Sequence, residues 1–193
     1  MAAGKVLTGF SKPYVAVYSE SSGTITYSSG QLLARGVNVS ITPNSSDANI
    51  FYADNNQAES EAGTFTGANM TLTVDGLLAA AERLIMGLPA AGEDGSMVFD
   101  DDQATPYVGV GFIARYMSGG VTTYVPYILK KCIFNMTSIS AATQEAQIDW
   151  QTQELTANIL RADDAKHTWR KIGADVSTET AAETVIKTEF GIT

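Results

Sequence analysis

Five oxygen-bearing side chains crowd together in the stretch IFYADNNQAESEAGTF: Asp54, Asn55, Asn56, Glu59 and Glu61. Three kinds of chemistry use such clusters, namely calcium coordination, paired-carboxylate acid–base work, and the solvation of a turn. Spacing separates them. With Asp54 at the first position of a calcium loop, Asn56 suits the third, but Ala58 stands at the fifth and Phe65 at the twelfth, where a carboxylate is required. A turn whose Asx side chains satisfy their own backbone is the default reading, with Glu59 and Glu61 on the return arm. Glycosidase-type pairs can be drawn from Glu59, Glu61, Glu145 and Asp149, as in any acidic protein. No aromatic residues cluster with them in sequence as a sugar-stacking cleft requires. The run Asp100-Asp101-Asp102 reads as a solvated loop, because no further ligands follow at calcium-loop spacing.

The remaining reactive types are as sparse. His167 lies in DDAKHTWRK beside Asp163 and Asp164, but no nucleophile elbow of the G-x-S-x-G form accompanies it, so it reads as a surface histidine. Cys132 is the single cysteine; it excludes an intrachain disulfide and a thiolate cage, and its apolar setting in ILKKCIFNM reads as a buried thiol. The glycines of GVGFIA lack the G-x-G-x-x-G spacing, and no phosphate loop occurs. The sequence therefore yields no catalytic, cofactor-binding or metal-binding residue, and the expectation is a protein that is not an enzyme. A net charge of −9 disfavours a nucleic-acid clamp, which needs clustered Lys and Arg. The first eighteen residues carry no apolar run of signal-peptide length and no window is long enough to span a membrane, so synthesis and retention in a cytosol are expected.

The elements that would position these residues are mostly strands. At 193 residues the chain suits a single domain over 1–193. PYVAVYSESSGTITYSSGQ reads as two strands around Ser22-Gly23, and GVNVSITPN alternates Val37, Val39 and Ile41 against Asn38, Ser40 and Thr42. NIFYA and QAESE form a hairpin about Asp54-Asn55-Asn56. In TFTGANMTLTVD, Met70, Leu72 and Val74 share a face, while Phe65 falls on the other parity and places a bulge at Gly67. The period then changes: Asp75 is expected to cap a helix over about 76–87, stopped by Gly87 and Pro89. YVGVGFIARYMS and VTTYVPYILKKCIFNM make a long hairpin turning at Gly119 and Gly120, with Pro126 predicting an edge or bulge. TQEAQIDWQTQELTANIL reads as a long strand, Ala146, Ile148 and Trp150 opposite Glu145 and Asp149, with a bulge near Thr152 to Glu154. A box at Thr180 and Glu183 starts a helix over about 180–190, with Glu183 and Lys187 paired at i,i+4. Residues 1–12 lack periodicity and are expected to order on contact with a neighbour. The fold class is mainly β, an antiparallel sandwich or barrel with one flanking helix and a short C-terminal one.

Order and spacing of these segments carry a likeness. NIFYADNNQAESEAGTFTGANMTLTVDGL, the YVGVGFIARYMSGGVTTYVPYILKKCIF hairpin, TQEAQIDWQTQELTANIL and the closing Trp-then-helix segment together resemble the major tail, or tail-tube, proteins of long non-contractile-tailed bacteriophages, in particular the branch found in phages of Gram-positive bacteria. The likeness spans about residues 5 to 190.

That resemblance implies a fold of the tail-tube type and a structural virion protein, made in the host cytoplasm, that self-assembles as stacked hexameric rings. The tube conducts DNA on ejection without binding it specifically and meets tail-tip, tape-measure and tail-terminator proteins. It also implies no catalysis and no cofactor. In that setting negative charge facing the lumen lowers adhesion of phosphate, and Glu145 and Asp149 are the lumen candidates. The hairpin of Asp54, Asn55, Asn56, Glu59 and Glu61 is the candidate subunit contact. The alternative is an all-β binding module, an adhesin-like or carbohydrate-binding baseplate domain, which would expose an aromatic patch.

Overall fold

A computed structural model describes residues 4–89, 95–101, 103–143 and 150–192. Ten strands and two helices follow one another among them. The strands are β1 (Val6–Ser21), β2 (Thr24–Leu32), β3 (Gly36–Ser45), β4 (Asn49–Ala53), β5 (Asn56–Glu61) and β6 (Phe65–Val74), then, after helix α1 (Ala79–Met86), β7 (Val108–Ser118), β8 (Val121–Phe134), β9 (Gln153–Leu160) and β10 (Arg170–Ile172). Helix α2 (Glu179–Phe190) closes the chain. All strands but β4 and β5 join one antiparallel sheet in the order β2-β1-β7-β8-β9-β6-β3, with β10 beside β8. Thus the chain is mainly β with two flanking helices.

Alternation along the strands divides the apolar residues between the two faces. On one face Val15, Met70, Leu72, Val74, Val110, Phe112, Leu129, Leu155, Ala157 and Ile159 form the larger core, which α1 closes with Ala81, Ile85 and Met86. Tyr14, Ala16, Ile113 and Ile128 face the other way, onto Ala182, Ile186 and Phe190 of α2. Each Val, Leu, Ile, Phe or Met among them contributes about 1.5–3 kcal/mol on leaving water, before the entropy of ordering it is set against that. The sheet rolls far enough that its last strand returns towards β1: a Cβ on Gly36 would lie 2.1 Å from the ring of Phe10. Only the lack of a side chain at Gly36 allows the two strands so close.

The tight turns follow their sequence signals. Ser22 and Gly23, Asp54 and Asn55, and Gly119 and Gly120 all take positive φ, the geometry in which a two-residue hairpin loop matches the twist of its strands. Gly67, with φ of 159°, sits where Phe65 and Gly67 pair with adjacent residues Ser45 and Asn44, which leaves Thr66 as the extra residue of a bulge.

Three local expectations are corrected. Helix α1 begins at Ala79, not near 76, and Asp75 is not its cap: its carboxylate accepts the Arg35 backbone N–H at 3.0 Å and pairs with the Arg35 guanidinium, fastening the end of β6 to the start of β3. Helix α2 is capped by Thr178, whose hydroxyl accepts from the Ala181 N–H at 3.2 Å, not by a Thr180–Glu183 box. Pro126 keeps register with β7, and the expected irregularity lies on its other side, where β10 ends at Ile172 and the three-residue step from Gly173 to Val176 faces the two-residue step from Pro126 to Tyr124. Its missing N–H costs nothing there, because Pro126 O accepts from Gly173 while the next pair on that side is Tyr124 with Val176. Finally, β9 begins at Gln153 and pairs with β6 in unbroken register, so no bulge lies at Thr152 to Glu154. Trp150 is exposed outside any strand, and the stretch 144–149 lies outside the described residues.

Candidate functional site

The surface is distinguished by strand edges and exposed apolar side chains. Strands β4 and β5 form a separate two-stranded sheet that carries Ile50, Phe51 and Tyr52, the last two more than 60% exposed. Ile50 and Tyr52 point to one side of β4 and Phe51 to the other, so both faces of the hairpin present apolar surface. An isolated hairpin is marginal in water. This one is fixed at its base, where Ser46 and Thr64 exchange backbone and hydroxyl hydrogen bonds and Gly63 packs against the Ser46 carbonyl.

The oxygen-rich cluster belongs to this hairpin. Asp54 and Asn55 are the turn, Asn56 opens β5 and donates through its amide to the Asp54 carbonyl at 3.3 Å, and Glu59 pairs across the strands with Phe51 and Glu61 with Asn49. All are exposed. Gly119 and Gly120 form the outer turn of the β7–β8 hairpin. Glu145 and Asp149 lie outside the described residues. Among the described residues no three of His, Cys, Asp and Glu are placed to hold a metal ion, and no helix is long and apolar enough to cross a membrane.

His167 takes a positive φ in an exposed turn, with Nδ1 3.2 Å from the Ala162 carbonyl. Cys132 is fully buried, and burial pushes its thiol far above the usual range. The two glycines of the GVG stretch serve packing: Cβ atoms on Gly109 and Gly111 would fall within 3 Å of Tyr27, Ile186 and Phe190, so the bare backbone is the seat of α2.

Among the described residues, two strand edges face one another without a strand partner. Strand β2 pairs with β1 only from Tyr14 onward, so Val6 to Ser11 have a strand neighbour on the β7 side alone. Strand β3 pairs only with β6 and ends the sheet. Between these edges lies an apolar slot of about 160 Å³, lined by Leu7, Phe10, Val39, Ile41, Phe112 and Tyr127 among others. Its wall is aromatic: Phe112 and Tyr127 stack at 5.2 Å, Phe10 meets Phe112 edge-on, and Tyr116 and Tyr127 share a 2.8 Å hydrogen bond. Burial, then the Tyr116 hydroxyl, push the Tyr127 hydroxyl up to about 12.

An ionic network fixes α2 on the sheet; the sequence shows its Glu183–Lys187 pair and not the contacts to the strands. Glu183 accepts from Lys12, from the Tyr14 hydroxyl at 2.6 Å and from Lys187 at 3.2 Å. The hydrogen bonds from Lys12 and Tyr14 outweigh burial and hold the Glu183 carboxyl at about 2. Glu189 bridges Lys130 and Lys171; burial works to raise it, and the two lysines prevail, leaving it below its usual value. Lys131 pairs instead with Asp163 at 2.6 Å, which also accepts from Tyr18. A further signal was the lysine pair in an otherwise apolar strand. A register shift in β8 lets Leu129 and Cys132 both face the larger core, and the two lysines stand between them, over the neighbouring rings of Tyr27 and Tyr18.

Compared with known proteins, the chain matches no family model and no curated protein sequence.

Proposed function

We propose that this chain is a structural subunit that polymerises through its strand edges, as a tail-tube protein of a long-tailed phage does, in hexameric rings stacked into a conduit for DNA. The observation that carries the reading is the coexistence of an exposed apolar hairpin with two unpaired sheet edges. Edges of that kind invite pairing with another chain, and closure of a barrel across subunits removes them. The order and spacing of the sequence segments support the same reading. A net charge of −9 per subunit suits a lumen through which DNA slides without adhering. Glu145 and Asp149 are the acids proposed to face that lumen, and tail-tip, tape-measure and terminator proteins are the proposed partners at the ends.

Negative-stain microscopy of the concentrated protein tests this directly. Rings with six-fold symmetry or long hollow tubes are the expected result. A persistent monomer that binds a sugar through Phe51, Tyr52 or Trp150 would overturn it in favour of an all-β binding module.

A further inference from the structure

We propose that the slot between β1 and β3 is the receptor for Phe51 from the β4–β5 hairpin of a second copy of this chain; this rests on the polymerising role proposed above. Size is the first argument. An apolar space of about 150 Å³ accommodates a benzene ring, and the slot measures about 160 Å³. Phe51 is 63% exposed, so it does not occupy the slot of its own chain.

Surface chemistry is the second argument. The slot is walled by Phe10, Phe112 and Tyr127, whose rings offer edge-on or offset contacts to an incoming ring. Backbone is the third. Among the described residues the outer sides of β1 from Val6 to Ser11, of β3 and of β4 have no strand partner, so the strand that brings Phe51 can also satisfy main-chain groups at the seam.

Charge agrees. From Ser46 to Thr64 the hairpin contains Asp47, Asp54, Glu59 and Glu61 and no basic residue. Near the slot, Lys5 lies over the ring of Tyr116 at 5.8 Å and is already paired with Asp175, while Arg170, on β10 and stacked on Trp169, has no carboxylate partner among the described residues. An acidic arm is repelled by a second acidic hairpin and not by this neighbourhood, which favours this pairing over one between two hairpins.

The test exploits the buried Cys132, which leaves introduced cysteines as the reactive ones. Isotope-labelled Ala53→Cys chain, which keeps Phe51, is mixed with unlabelled Val39→Cys chain, concentrated and mildly oxidised, and the disulfide-linked peptides are identified by mass. Mixed-isotope peptides joining position 53 to position 39 are expected. Ile41→Trp in the receiving chain, which fills the slot, should lower their yield at least tenfold, with its melting temperature confirming that it folds. Rings or tubes that form without the 53–39 link would overturn this docking and leave the polymerising role standing. A chain that neither assembles nor cross-links would overturn both.

Discussion

Gly111 on β7 and Phe190 on α2 touch across the sheet–helix interface: a Cβ on Gly111 would stand 3.0 Å from the Phe190 ring and 2.6 Å from Ile186 Cγ2. The glycine is there for space, since its backbone is ordinary strand. Gly111→Ala is therefore expected to lift α2 from the sheet and destabilise the protein by about 1–3 kcal/mol, the range for overpacked cores. Thermal melts followed by circular dichroism would read this as a drop of several degrees, and Gly111→Val should cost more. An unchanged melt for both would mean that α2 is not seated as described.

Glu183 should make the attachment of α2 sensitive to acid. Its carboxyl is held at about 2 in the folded chain against an ordinary value of 4.5, so its contribution is fully present above about 4.5 and is lost as pH falls towards 2. Glu183→Gln is expected to lower stability at pH 7 by about 1.5–3 kcal/mol, the range for hydrogen bonds to a charged group. At pH 2 the variant and the parent should converge. Denaturant melts at the two pH values check this, and a constant difference would assign the loss to packing instead of ionisation.

The strands were legible because alternation and Gly or Asx turns are local signals: Met70, Leu72 and Val74 share a buried face for reasons contained within ten residues. The helix caps were not. Asp75 and Thr180 each satisfy a local capping rule, but Asp75 is taken by Arg35 from a distant part of the chain and Thr178 holds the cap. Glu183 likewise serves Lys12 and Tyr14, which no window around Thr180 contains. The same limit hid the slot. Phe10 and Gly36 lie on strands whose approach depends on how far the sheet rolls, and nothing near either residue records that. The hairpin about Asp54 was visible as a turn, whereas the exposure of Phe51 and Tyr52 belongs to the tertiary structure.

Cys132 should be inert in the native protein. It has no exposed surface, and burial raises its thiol well above neutrality, so thiolate is scarce and inaccessible. Incubation of folded protein with an aromatic disulfide reagent is expected to give less than a tenth of one thiol per chain. Unfolding in guanidinium should release the full equivalent. Rapid modification under native conditions would indicate opening of the β8–β9 pairing around Cys132.

Phe51 and Tyr52 separate folding from assembly. Both are exposed on a hairpin with its own two-stranded sheet, and neither belongs to either core. Replacing both by Ser should therefore change the stability of the isolated chain by less than about 0.5 kcal/mol, as for surface positions away from special features. Assembly should respond in the opposite sense, because an apolar contact formed only between copies is deleted: the concentration needed for rings or tubes is expected to rise at least tenfold, measured by light scattering and sedimentation. Asp54→Ala and Asn55→Ala act on the same arm by another route. Each places a residue with poor tolerance for positive φ in a turn with φ of 49° and 62°, so they should loosen the hairpin and weaken assembly without altering the main melt. If the Ser pair assembled as readily as the parent, the hairpin would not be the subunit contact, and the open edges of β1 and β3 would have to be covered by some other segment.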